Sequence, residues 1–92
     1  MLTAFVMISA EPARVAELAS EIADVEGVSE VYSVTGDEDL IAIVRVREHD
    51  QLADVVTRSI ACKAGIRHTR TSIAYKAFSR HDLDAMFDVG MD

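Results

Sequence analysis

Residues 2–8 (Leu2, Ala4, Phe5, Val6, Met7, Ile8) are almost unbrokenly apolar, the pattern of a strand buried on both faces rather than one with a solvated side. Pro12 suits the first turn of a following helix, where its missing N–H costs nothing. Val15, Leu18, Ile22 and Val25 then recur at helical spacing opposite Arg14, Glu17, Glu21 and Asp24, which predicts an amphipathic helix closed by Gly27. Residues 28–34 are rich in β-branched side chains and carry Tyr32; they run into Thr35-Gly36-Asp37-Glu38-Asp39, a cluster of turn formers. Residues 40–46 are again apolar on both faces until Arg45, so the two runs form a hairpin. A second helix opens over residues 48–51, with a stripe of Leu52, Val55, Val56, Ser59 and Ile60, and Gly65 closes it. Residues 66–78 are long, β-prone and partly polar and predict a fourth strand.

The resulting order, strand-helix-strand-strand-helix-strand, is that of an α+β ferredoxin-like βαββαβ plait: a four-stranded antiparallel sheet with two helices on one face. Its halves echo one another, since Val25-Glu26-Gly27-Val28 recurs as Lys63-Ala64-Gly65-Ile66. Helices cover one sheet face only, so Phe5, Met7, Tyr32, Val34, Ile41 and Ile43 are expected on the other. An apolar face of that extent needs a cover, and the economical one is a second copy packed sheet to sheet with isologous symmetry. The expected domain is residues 1–78, followed by a tail, 79–92. In the tail Ser79-Arg80-His81-Asp82 resembles a capping box, and Leu83, Met86 and Phe87 share one helical face.

Charge narrows the partners. Nine Lys and Arg against 16 Asp and Glu leave a net charge of −7, a poor basis for binding nucleic acid, which is held through cationic neutralisation of phosphates. A single cysteine excludes an intrachain disulfide, and the apolar start lacks the basic flank of a signal peptide. No apolar run approaches the roughly 20 residues that cross a bilayer. A soluble, cytoplasmic protein is expected, without direct nucleic-acid or membrane binding.

Two stretches carry candidate chemistry. Three carboxylates around Gly36 repel one another unless solvated or paired. The turn is therefore either a solvated hairpin loop or a site whose backbone N–H groups and Thr35 hydroxyl face one end of a ligand while a carboxylate awaits an ammonium, as an amino acid requires. In Thr69-Arg70-Thr71-Ser72, alternation sets Thr69 and Thr71 on one face and Arg70 and Ser72 on the other; good strand propensity alone also accounts for the threonines. His49, His68, His81 and Cys62 show no zinc-type spacing, Cys62 has no assignable His and Asn partners, and the four glycines form no phosphate loop. No metal, cofactor or catalytic nucleophile is expected.

Together, residues 31–41 (Val-Tyr-Ser-Val-Thr-Gly-Asp-Glu-Asp-Leu-Ile) and residues 65–73 (Gly-Ile-Arg-His-Thr-Arg-Thr-Ser-Ile) resemble the effector-binding (RAM) domain of the Lrp/AsnC family of transcriptional regulators. The resemblance runs from the first strand to about Phe78. Family members usually carry an N-terminal helix-turn-helix, and this chain resembles the stand-alone forms that begin at the first strand. The resemblance implies sheet-to-sheet dimers, rings of dimers such as octamers or decamers, and an amino-acid effector bound between adjacent dimers. It carries ligand contacts onto Thr35, Gly36, Asp37 and Asp39 of the turn and onto Thr69, Arg70 and Thr71 of the last strand. Glu38 falls at a variable position, where the resemblance leaves it either tuning specificity or playing no part.

The leading reading is thus a non-enzymatic amino-acid-sensing module that acts through assembly or through a partner such as a full-length Lrp/AsnC paralogue. The alternatives are a small dimeric ferredoxin-like enzyme of monooxygenase or isomerase type, for which Tyr32, His68 and Tyr75 are the candidate residues, and a structural partner subunit without a ligand. Ligand binding separates the first from the last, and turnover identifies the enzyme.

Overall fold

The computed structural model describes residues 1–80. The elements follow the expected order: β1 (Leu2–Ala10), a 3-10 turn (Pro12–Arg14) leading into α1 (Val15–Ala23), β2 (Val28–Ser33), β3 (Leu40–Val46), α2 (His49–Asp54) continuing as a π-helical stretch (Val55–Ile60), and β4 (Ile66–Ile73). The four strands form one antiparallel sheet in the order β2-β3-β1-β4. The expected tail helix around Leu83, Met86 and Phe87 lies outside the described residues.

Pairing between β1 and β3 sets Ala4 against Val44, Val6 against Ala42 and Ile8 against Leu40. All six are fully buried beneath Leu18 and Ile22 of α1 and Ile60, because alternation turns every second residue of each strand toward the helices. The second helix is widened for the same purpose. In an α-helix Val55 and Ile60 would project about 140° apart, but Ala61 N–H donates to Val56 O at 2.8 Å, a five-residue repeat. That turn brings both side chains into the core. A capping box starts α2, with the Gln51 side chain accepting from Glu48 N–H at 3.0 Å.

The internal echo is structural. Val25 N–H bonds Ile22 O and Val28 N–H bonds Val25 O; in the second half Lys63 bonds Ile60 and Ile66 bonds Lys63 in the same way. Gly27 and Gly65 hold φ of 97° and 96°, the left-handed conformation that ends a helix without steric cost only when Cβ is absent.

Two boundaries differ from expectation. β1 runs on to Ala10, held by the pairing of Ala10 with Ile66. β4 ends at Ile73 instead of continuing to Phe78: Ala74 N–H makes a last bond to Thr3 O at 2.9 Å, and β1 begins at Leu2, so beyond Ala74 there is no strand edge to pair with. Tyr75 and Phe78 consequently stand in solvent.

The sheet face away from the helices carries two ordered rows. Tyr32, Ile41, Met7 and Arg70 align across β2, β3, β1 and β4, and Glu30, Ile43, Phe5 and Ser72 align beside them. Phe5 is 39% and Tyr32 51% exposed on this face. Polar residues therefore occupy the two edges, and an apolar strip occupies the centre.

Candidate functional site

The two stretches singled out in the sequence meet at one end of β1. The turn between β2 and β3 is closed by Val34 N–H donating to Asp39 O at 3.1 Å. Asp39 then prolongs the β1–β3 ladder past its last pair: its N–H donates to Ile8 O at 2.9 Å, and its carboxylate accepts the Ala10 N–H at 2.8 Å. On the other side of β1, Thr69 is in register with Ile8 and Arg70 with Met7. The turn and the Thr69-Arg70-Thr71 segment are thus separated by the width of one strand, about 10 Å from β3 to β4.

The three carboxylates have three different environments. Asp39 is engaged with the backbone of β1. Glu38 reaches across β1, accepting from Ser9 Oγ at 3.3 Å and pairing with Arg70 Nη2 at 2.9 Å. Its side chain is only 15% exposed, against 64% for that of Arg70. Asp37 is exposed and, among the described residues, makes no ion pair or side-chain hydrogen bond. It lies with exposed Thr35 and Gly36 at the tip. Gly36 has a φ of 105°, the sharp bend that a glycine allows.

Of the residues anticipated from sequence, Thr35, Gly36 and Asp37 form an open tip, and Asp39 forms its base. Arg70 joins them through Glu38. Thr69 and Thr71 lie on the opposite face of β4, pointing to the helix side, with Thr69 half-buried and Thr71 exposed. Ser9 was not anticipated as a site residue, nor was the pairing of Glu38 with Ser9 and Arg70. Sheet alternation alone places Ser9 and Arg70 on one face, but only the register between β1 and β4 reveals that a side chain from the turn can bridge them.

Elsewhere, Tyr32 donates to the Glu30 carboxylate, which pairs with Arg45 at 3.6 Å. That hydrogen bond and the charge of Glu30 hold the phenol above the ordinary tyrosine range. Tyr32 and His68 sit on opposite edge strands of the sheet, on the face away from the helices, and Tyr75 lies past the end of β4; the three build no common acid/base cluster. No group of three or more His, Cys, Asp or Glu able to hold a metal occurs among the described residues, and no helix among them is long and apolar enough to cross a membrane. Two shallow clefts lined by Met1 and Arg47 open at the far end of β1 from the turn.

The chain matches the family model described as "Lrp/AsnC ligand binding domain" over residues 3–83. It is 38% identical over 72 residues to an uncharacterised HTH-type transcriptional regulator of Pyrococcus abyssi, a match that covers 78% of this chain and 46% of that protein. The chain spans about half the length of the curated relatives it matches. Among solved structures, TTHA0845 from Thermus thermophilus superposes with a TM-score of 0.83 at 45% identity, covering 87% of this chain and all (100%) of that one. A feast or famine regulatory protein from M. tuberculosis, solved in complex with L-methionine, superposes with a TM-score of 0.73 at 32% identity over 86% of this chain and 53% of that one.

Proposed function

This chain belongs to the Lrp/AsnC ligand-binding domain family, and from that premise we propose that it is an effector-binding and oligomerisation module of transcription regulation that takes a free amino acid at turn 35–39 and catalyses no reaction. The observation that carries this reading is the division of labour within the turn. Its base is fastened to β1 by Asp39, while its tip leaves a carboxylate, Asp37, without a counter-charge among the described residues. An ammonium supplies that charge, and the backbone N–H groups around Gly36 suit the carboxylate of the same molecule. Arg70 borders the turn from β4 through Glu38, while the Thr69 and Thr71 hydroxyls, on the helix side of the same strand, are reached only by a ligand that extends around that edge. Complexes of relatives support the ligand class, since the mycobacterial protein was crystallised with L-methionine.

An exposed tip cannot enclose a ligand by itself, so a neighbouring copy supplies the second wall. The apolar strip around Phe5, Ile41 and Ile43 packs against its counterpart in a sheet-to-sheet dimer, and such dimers close into rings, octamers or decamers, with the effector between adjacent dimers. Ligand and assembly are then thermodynamically linked. The module works in the cytoplasm through its assembly state or through a full-length paralogue in a mixed oligomer, without touching DNA directly.

A thermal-shift screen against the twenty amino acids, followed by light scattering on each hit, tests the reading. Saturation to 100 times Kd adds about 2.7 kcal/mol, which raises the melting temperature of a domain this size by about 10–20 °C. A selective shift accompanied by a change in mass is expected. A well-folded oligomer that responds to none of the twenty refutes it.

A further inference from the structure

We propose that Glu38 is a specificity-determining residue: by holding Arg70 in an ion pair, it closes the effector site to amino acids that carry a second carboxylate. The inference rests on the effector-binding reading above and adds the charge class of the ligand to it.

Arg70 is the one cation within ion-pair distance of a turn carboxylate among the described residues. The Glu38 carboxylate occupies it at 2.9 Å, is steadied by Ser9 Oγ, and is itself largely shielded from water. Shielding strengthens a charge pair relative to an exposed one. With Asp39 engaged by the Ala10 N–H, the charge left for a ligand is a single negative one, Asp37. A zwitterion with an uncharged side chain is matched to that inventory, its ammonium on Asp37 and its carboxylate on backbone N–H groups. Among the described residues of this chain, the cation beside the turn is already taken, so an acidic side chain finds none left for it there. It must either displace Glu38 from Arg70, leaving that carboxylate shielded and unpaired, or lie without a counter-charge beside three carboxylates in a chain of net charge −7. Either route weakens binding.

Calorimetric titration of the intact chain with L-methionine, L-leucine, L-aspartate and L-glutamate is the test, on the wild type, Glu38→Gln, and the double variant Glu38→Gln/Arg70→Gln, with melting curves confirming that each is folded. Gln keeps the length of the side chain and an acceptor for Ser9 while removing the negative charge that neutralises Arg70. The wild type is expected to bind the acidic pair at least tenfold more weakly than the better neutral one. Glu38→Gln should then narrow that gap by at least tenfold, which is 1.4 kcal/mol, and the double variant should restore it. Glu38→Ala serves the same purpose should the Gln variant not fold. An unchanged ratio of acidic to neutral affinity in Glu38→Gln, or wild-type preference for L-glutamate or L-aspartate, overturns the inference while leaving amino-acid binding intact. Absence of all binding by the wild type defeats the effector reading instead; Glu38→Gln gaining L-glutamate even then upholds the role of Glu38, and its failure to do so removes both.

Discussion

Asp37 and Asp39 stand two residues apart in the same acidic turn, yet replacing each by alanine should have opposite consequences. The Asp39 carboxylate accepts the Ala10 N–H at 2.8 Å in a partly buried setting. Its removal leaves a backbone donor at the end of β1 without its partner. Hydrogen bonds to charged groups contribute about 1.5–3 kcal/mol, and partial exposure sets this one near the lower end, at about 1.5–2 kcal/mol. For a domain of this size each kcal/mol moves the melting temperature by roughly 4–8 °C, so Asp39→Ala should melt about 6–16 °C below the wild type. Asp39→Asn retains an uncharged acceptor and should lose about half as much, because charge-assisted bonds are roughly twice as strong as neutral ones. Asp37 has no side-chain partner to lose among the described residues. Asp37→Ala should stay within about 0.5 kcal/mol of the wild type while losing amino-acid affinity. Melting by circular dichroism at one fixed protein concentration, which removes the dependence on assembly, together with titration of the best amino acid, reads both effects. Equal melting temperatures for the two alanine variants, or full affinity in Asp37→Ala, would refute the division between base and tip.

Phe5→Asp places a charge in the middle of the apolar strip without entering the helix-side core, and light scattering should show it as a folded monomer; a variant that keeps the wild-type mass contradicts sheet-to-sheet pairing. Gly27→Ala combines a left-handed φ with a Cβ 3.1 Å from both Val46 Cγ1 and Val55 Cγ2 and should cost about 2–3 kcal/mol in urea unfolding. Gly36→Ala has open space around the added Cβ and should cost about 1–2 kcal/mol from conformation alone. The Tyr32 phenol is held above its ordinary range chiefly by its hydrogen bond to Glu30. Its contact with Glu30 therefore persists below the usual tyrosine pKa and is lost as pH climbs through the raised one, and a spectrophotometric titration should show Glu30→Gln bringing the ionisation back down.

Much of the plait is legible from single positions. The 3.6-residue stripe of Leu18 and Ile22, the turn formers at 35–39 and the glycines at 27 and 65 each impose one local conformation, and the order of elements then selects the topology. The π-helical turn was visible only as an odd interval, five residues between Val55 and Ile60, which gains meaning once both are known to face the same core. The end of β4 was not legible, because residues 74–78 remain β-prone and nothing local records that β1 has already begun.

The candidate site divides along the same line. Sequence alone marks the acidic turn and the Thr69-Arg70-Thr71 run as unusual, and their pairing carries the family resemblance, since residue type and spacing are one-dimensional properties. Which carboxylate holds backbone, which holds Arg70 and which stays free depends on contacts between residues some 30 positions apart in the chain: Ser9 with Glu38, Ala10 with Asp39, Glu38 with Arg70. Those contacts follow from strand register, and a shift of one residue would carry Arg70 to the other face of the sheet. The composition of the site was thus written in the chain, whereas the roles of its members were decided by tertiary pairing.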